Sequence, residues 1–386
     1  MASERLRVGI VGLQPGRSWA ARAHVPALRH LADDFEIVGV ANTSRASAEA
    51  AAAACGMPRA FGDVAELAGS AEVDIVSVTV RVPHHLEIVR MAVAAGKHVY
   101  CEWPLGNGLA EAEEMAGLAR RAGVMGIIGT QARVAPEILH LRQLVEDGFV
   151  GEVLSTTLTA RGKGWGESID SMSARGYLLD AVNGATMLSI PMGHTLAALQ
   201  DVLGDIVELS SVIARRRDSV FVEDLREMVP LRAPDQVLIS GLLADGAPVS
   251  IHYRGGEARG VPGLVWEING SEGDLRITGH SGHSQMVGLT IEGGRGQDRH
   301  LEVLELPASS RAGWPEDVIP GNVARLYARM AADLRSGTHL APTFDDAVGL
   351  HRLLSEIEAA SASGQRRTVT RSVSPMSPAL SRAGSL

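Results

Sequence analysis

Cysteine is nearly absent, with only Cys55 and Cys101 in 386 residues. Two thiols cannot frame a disulfide-stapled fold, and neither stands at the paired Cys/His spacing of a metal site. A reducing cytoplasm, no resident metal, and two small buried side chains are the expectations. Basic residues are also in deficit, 36 Lys and Arg against 45 Asp and Glu, a formal net charge of -9. Binding to nucleic-acid backbones depends on clustered Lys and Arg, so nucleic acid is not expected as a direct partner. No stretch reaches the roughly 18 consecutive apolar residues of a membrane-spanning helix. The segment Met1 to Arg7 runs straight into a strand-like stretch, without the apolar core and cleavage site of a secretory leader, so a cytoplasmic protein away from membranes is expected. Internal repeats are lacking as well.

What is there describes an ordinary globular protein, 45% hydrophobic and 21% charged. At about 100 to 200 residues per domain, this length predicts two domains, or three. The first third alternates short β-branched runs with helical patterns. Strand signals lie at Leu6 to Val11, Phe35 to Ala41, Asp74 to Val80, His98 to Cys101 and Gly126 to Gly129. Between them, helical spacing covers Ser18 to Leu31, Ala46 to Ala54, His84 to Ala95 and Leu109 to Ala122. Such alternation predicts an α/β fold, a doubly wound parallel sheet of Rossmann type with helices on both faces.

From about Gly151 the texture changes to alternating strands broken by Gly, Asp and Pro, as in Val153 to Thr159, Val237 to Leu243, Val249 to Tyr253 and Leu264 to Ile268. These predict a C-terminal α+β domain with a large, mostly antiparallel open sheet, completed by helices near Val323 to Arg335 and Phe344 to Ala360. The expected division is 1–133 for the nucleotide domain, 134–368 for the second domain and 369–386 for a mobile tail. The Ser-, Arg- and Pro-rich composition behind the tail begins at Ser361.

The segment Gly9-Ile-Val-Gly-Leu-Gln-Pro-Gly16 joins the first strand to the first helix, where backbone N–H groups and the helix dipole can face a pyrophosphate. Gly12 fills the first glycine position of the dinucleotide fingerprint, Leu13 follows it, and Gln14 stands where a second glycine belongs. A plain tight turn is the other reading of this cluster. After the second strand, Asn42, Ser44 and Arg45 replace the acidic side chain that would bind the ribose 2'-hydroxyl of NAD and repel a 2'-phosphate. NADP is therefore expected over NAD, although Ser44 also suits a helix cap.

Five further phrases follow in order: Val82-Pro-His-His85, Ala95-Gly-Lys-His-Val-Tyr-Cys-Glu-Trp-Pro104, Gln131-Ala-Arg133, Gly148-Phe-Val-Gly-Glu-Val153 and Gly193-His194. With the glycine-rich start they resemble the Gfo/Idh/MocA oxidoreductases, the glucose-fructose oxidoreductase, inositol dehydrogenase and rhizopine-catabolism family, over nearly the whole chain to about residue 368. The resemblance implies an NAD(P)-binding domain, a sugar or cyclitol substrate, and a homodimer or homotetramer through the C-terminal sheet. It also implies that Glu102 lies by the nicotinamide ribose, that Pro104 shapes the following turn, and that His85 flanks the nicotinamide. Gln131 joins the cofactor set, Arg133 falls near the domain junction, and His194 lies on the sugar-binding helix.

Two positions depart from the family pattern. Trp103 stands in place of the proton-transferring lysine, and Ile190 replaces an aspartate four residues before His194. An indole N–H donates only and cannot accept the hydroxyl proton that must leave as hydride departs. A positioned base is worth roughly 10² to 10⁴ in rate. If hydride transfer survives, His194 is the first candidate base, with Tyr177, Lys163 or Asp180 as substitutes. His84 reads as a helix-start residue. The phrases Cys101 to Gly106, Gly129 to Arg133, Ser189 to His194 and Gly12 to Trp19 also resemble a narrower branch, the fungal galactose-pathway repressors and their bacterial relatives. There the fold is implied to bind a dinucleotide without turnover, and Trp103 becomes a pocket wall. Oxidoreductase on a sugar-like substrate and non-catalytic sensor are the two readings, the enzyme being the expected one.

Overall fold

The computed structural model describes residues 4–370. Short runs of Val and Ile form five strands, β1 (Leu6–Val11), β2 (Phe35–Ala41), β3 (Ile75–Val78), β4 (His98–Glu102) and β5 (Gly126–Gly129). They pair in parallel in the order β2-β1-β3-β4-β5. Every residue of β3 and β5 is buried, as expected of strands covered on both faces. The covering helices include α1 (Val25–His30), α2 (Arg45–Cys55), α3 (Val64–Gly69), α4 (His85–Ala94) and α5 (Leu109–Ala122). Ser44 caps α2, its hydroxyl accepting the Ser47 N–H, and Gly56 ends it at φ +59°. The chain leaves β1 toward β2 and returns on the other side of β1 as β3. The loops after β1 and β3 therefore flank a topological switch point, where α/β sheets bind ligands.

The rest of the chain adds α6 (Pro136–Glu146), α7 (Met172–Arg175), α8 (Gly193–Leu203), α9 (Val318–Ser336) and α10 (Phe344–Ser363) to the strands of a second lobe. Its strands are β6 (Val153–Gly162), β7 (Ser168–Ile169), β8 (Ile206–Ala214), β9 (Ser219–Val222), β10 (Glu227–Pro230), β11 (Gln236–Leu243), β12 (Pro248–Gly255), β13 (Leu264–Gly270), β14 (Gly273–Gly279), β15 (Thr290–Arg295), β16 (Glu302–Val303) and β17 (Arg367–Thr368). Nine of them form one sheet, in the order β16-β15-β14-β13-β6-β12-β11-β8-β17, whose only parallel pair among the described residues is β12 with β6. A small sheet, β10-β9-β7, stands apart.

The chain then returns to the first lobe. Val323, Tyr327 and Met330 of α9 are buried in one core with Val8, Phe35, Tyr100 and Ile127. The Ile128 N–H donates to the Pro342 carbonyl at 2.9 Å, just before Thr343 and Asp346 close a capping box on α10. The two lobes thus share packing that local sequence patterns do not announce.

Two expectations need correction. The Ser/Arg/Pro composition that starts at Ser361 does not free the chain there. Ser361 lies inside α10, where its hydroxyl accepts the Ile213 N–H at 2.8 Å. Arg367 and Thr368 pair with β8, Arg366 and Arg367 form ion pairs with Glu208 and Glu356, and the Val369 N–H donates to Val207 O. Position 369, placed in the tail by composition, is thus hydrogen-bonded to the sheet, and residues 371–386 lie outside those described. Cys55 is only half-buried, at the end of α2, whereas Cys101 is fully enclosed.

Candidate functional site

At the switch point Gly12 takes φ +100°, a left-handed conformation that glycine adopts freely. A Cβ there would come within 2.6 Å of Val80, so the β1 and β3 loops touch. The Thr79 hydroxyl reinforces that contact by donating to the Val11 carbonyl at 2.8 Å. Asn42 holds the loop from the other side. Its carboxamide accepts the Leu13 N–H at 2.9 Å and donates to the carbonyls of Leu13 and Ser47. Gln14 donates its N–H to the Ser18 hydroxyl, which leaves the turn Gln14 to Arg17 exposed to solvent. Arg45 bonds Glu66, which also takes Arg59, so two guanidiniums share one carboxylate beside β2.

Glu102 ends β4 and is 9% exposed. Its carboxylate accepts from Gln131 Nε2 at 2.9 and 2.8 Å and meets His24 Nε2 at 2.8 Å. His24 Nδ1 lies 2.8 Å from the Tyr327 hydroxyl and 3.2 Å from that of Ser77, and Tyr327 donates to Ser77 at 2.9 Å. This closed network ties the end of β4 to α9. Burial pushes the Tyr327 and Tyr100 phenols far above their ordinary range. His85 is also enclosed, with Nδ1 on the Pro104 and Leu105 carbonyls and Nε2 on that of Val80, and burial lowers its basicity. It braces the turn around the cis Trp103–Pro104 bond.

Trp103 is 5% exposed and reaches across to the second lobe. Its indole Nε1 donates to the Ser189 carbonyl at 2.6 Å, and its ring packs 4.7 Å from that of His351. A Cβ on Gly193 would fall 2.7 Å from the same nitrogen. His194 follows, buried, its Nδ1 without a hydrogen-bond partner. Burial, with His283 nearby, pushes its pKa down to about 3. A weakly basic, neutral imidazole is a poor acceptor for an alcohol proton. Ile190 lies in a wider π-type turn that precedes α8 and contains Pro191, so a spacing of four from His194 is not regular α-helical spacing here.

The three substitute bases are engaged elsewhere. Lys163 is half exposed and paired with Glu223 and Glu257. Tyr177 lies under the Arg81 guanidinium, 4.6 Å from its ring, and burial raises its pKa. Asp180 caps Val182 N and meets Arg232 at 3.5 Å. Arg133 forms a two-pronged pair with Asp201 at 2.7 and 2.6 Å and lies 3.5 Å from Asp346, which links α8 to α10. The sequence reading missed His24, Ser77, Tyr327, Ser189 and His351. His24 sits in an apolar helical run, and its partner Tyr327 is 303 positions away, so local pattern carried no signal.

The residues fit a dinucleotide. The indole N–H of Trp19, just after the phosphate loop, is buried without a partner, as is Gln131 Oε1 beside Glu102. Buried orphan polar atoms are uncommon and point to an unfilled role. Gly12 to Ser18 would hold the phosphates, and Glu102 with Gln131 the nicotinamide half. No group of His, Cys, Asp and Glu suited to a metal occurs among the described residues.

Fold and site together define a two-lobed dinucleotide-binding protein with a closed polar network under the cofactor strand. Residues 6–130 match the family model of the oxidoreductase family with an NAD-binding Rossmann fold, and residues 136–279 that of the Gal80p C-terminal domain. The first domain is thus of the NAD-binding oxidoreductase type and the second of the Gal80p type. It is 26% identical to the galactose/lactose metabolism regulatory protein GAL80 of Saccharomyces cerevisiae over 419 residues, covering 95% of this chain and 94% of that protein. The dehydrogenase aclE of Aspergillus oryzae is 29% identical over 373 residues, covering 94% and 98%. Among solved structures, a super-repressor mutant of Gal80p from Saccharomyces cerevisiae superposes with a TM-score of 0.85 at 25% identity, covering 95% and 98%. Regulators and dehydrogenases thus both stand among its relatives. No helix among the described residues is long and apolar enough to cross a membrane.

Proposed function

We propose that this protein is a dinucleotide-binding sensor of a sugar-like ligand that regulates without turnover. The observation that carries this reading is Trp103, a donor-only side chain whose N–H is already committed to Ser189 O, where the family resemblance implies a proton-transferring lysine. When bound, the nicotinamide supplies a hydride acceptor. Of the titratable groups nearby, Glu102 is occupied by His24 and Gln131, and His194 is neutral and weakly basic. The similarity to GAL80 over both domains supports the same reading. Paired exposed apolar residues on the outer face of the large sheet, Val212 of β8 opposite Leu238 of β11, support self-association into a dimer or tetramer.

The second reading is an NAD(P)-dependent dehydrogenase of sugars or cyclitols, favoured by the end-to-end similarity to aclE. NADP preference belongs to both readings, because no acidic side chain follows β2 and Arg45 and Arg59 bring two positive charges to one Glu66. Arg45→Glu is expected to weaken NADP binding more than NAD binding in parallel titrations, and equal losses would remove Arg45 from the cofactor site. The deciding experiment follows reduced-nicotinamide fluorescence through a single turnover with NADP or NAD and pooled sugars and cyclitols. Nucleotide binding with no signal is the expected result, and hydride transfer by the unaltered protein would overturn the sensor reading.

A further inference from the structure

A groove of about 500 Å³ opens between α6, α9 and the loop that contains Ser309 and Trp314. Two arginines line it, Arg325 and Arg329, one helical turn apart on α9. Like charges at this spacing repel. Arg325 is 8% exposed and stacks its guanidinium 4.7 Å over the Trp314 ring. Among the described residues neither arginine has a carboxylate at ion-pair distance. Arg325 donates to the Ser310 carbonyl at 2.8 Å, and Arg329 to that of Leu340 at 3.3 Å.

The acids in the neighbourhood are already engaged. Glu137 bonds Arg311, Asp201 bonds Arg133, and Asp333 takes the N–H groups of Leu340 and Ala341 and the Thr338 hydroxyl. A guanidinium carries five donors, so most of those on Arg325 and Arg329 remain available. Burial lowers the pKa of both groups, as expected when charge is held without a counter-ion. Two half-compensated cations in a groove of ligand size, within a protein of net charge -9, form a selective feature rather than a general basic surface.

We propose that this groove binds a small organic anion through its phosphate or carboxylate group, with Arg325 and Arg329 as the charge contacts and Leu139, Pro307 and Trp314 against the ligand body. Planar guanidinium forks match both oxyanions, and partial burial strengthens the pairing. No residue of the β1 loop lines the groove, so this proposal stands independently of the dinucleotide reading.

The test titrates the full-length protein, saturated with NAD and NADP, with glucose 6-phosphate, citrate and inorganic phosphate, following tryptophan fluorescence. At least one probe is expected to shift the emission, and Trp314→Phe to remove that response. Arg329→Gln should weaken binding at least tenfold. Ser309→Asp, which adds a carboxylate at an exposed position without removing any packing, should do the same and decides the matter if Arg329→Gln fails to fold. A preference for glucose 6-phosphate or for citrate separates a phosphate ligand from a carboxylate one. No response to any probe at millimolar concentration, or equal affinities in the original and Ser309→Asp proteins, would overturn the proposal.

Discussion

Gly193→Ala isolates the contact that holds Trp103. Taken alone, alanine in place of glycine in a helix gains about 1 kcal/mol of stability. Here the added Cβ would stand 2.7 Å from Trp103 Nε1, closer than real Cβ contacts come, and a tight 3.1 Å from two ring carbons. Yielding means moving an indole that packs on His351 and bonds Ser189 O, so overpacking of about 1–3 kcal/mol adds to a lost hydrogen bond of about 1 kcal/mol. The sum is a net destabilisation of about 1–3 kcal/mol, read as a fall in the urea midpoint at unchanged slope. In a Trp103→Ala background the same substitution meets space instead of a ring, and the sign should reverse to a gain of about 1 kcal/mol. Stabilisation by Gly193→Ala in the unaltered protein would show that the indole does not occupy this position, and the account of the site would fall with it.

The buried imidazoles make stability depend on mildly acidic pH. Burial holds His194 at about 3, and His283 and His351 at about 4, all below an unfolded value near 6.5. Their neutral forms are fully compatible with folding above pH 6.5; below it the unfolded chain takes up protons that the folded one refuses, so stability falls as pH drops toward 4. At pH 5 each group costs about 2 kcal/mol, and urea midpoints at pH 7 and 5 should differ accordingly; a flat profile would mean that these rings are solvated. Asn42→Ala leaves the buried Leu13 N–H without its acceptor and should cost about 1–3 kcal/mol while weakening NAD and NADP binding alike. Nucleotide titration of that variant checks the point, since a loss confined to NADP would assign Asn42 to the 2'-phosphate instead of to the loop.

Much of the first lobe was legible because its signals are local. The strands expected at Leu6 to Val11, Phe35 to Ala41 and Gly126 to Gly129 coincide with those observed, as does the helix Leu109 to Ala122, whose end is set by Gly123 at φ +65°. Periodicity and glycine placement are enough for that. The site was legible only as a roster of side chains. Glu102, Trp103, Gln131 and Arg133 can be picked from motifs, but what each one touches depends on residues far away in the chain. His24 finds Tyr327 through α9, Trp103 finds Ser189 and His351 through the turn into α8 and through α10, and Arg133 finds Asp201 and Asp346. Composition alone sets the start of the tail too early, at Ser361, because it reports what a segment could do by itself. The edge of β8 offered backbone partners to Arg367 and Thr368 that composition cannot register.

Trp103 does more than withhold a proton acceptor. A leucine at position 103 would likewise offer no proton acceptor, but it could neither donate to Ser189 O nor fill the notch left by Gly193. Trp103 stands at the end of β4, one residue beyond the carboxylate that His24 and Gln131 hold, and its ring rests on both α10 and the turn into α8. A ligand that displaced α8 would have to move the indole, and the indole is covalently next to Glu102. Under the sensor reading, such a contact couples sugar-side and nucleotide-side binding, and the coupling is reciprocal in free energy. A rigid, doubly anchored ring suits that role, because its position reports the arrangement of the two lobes.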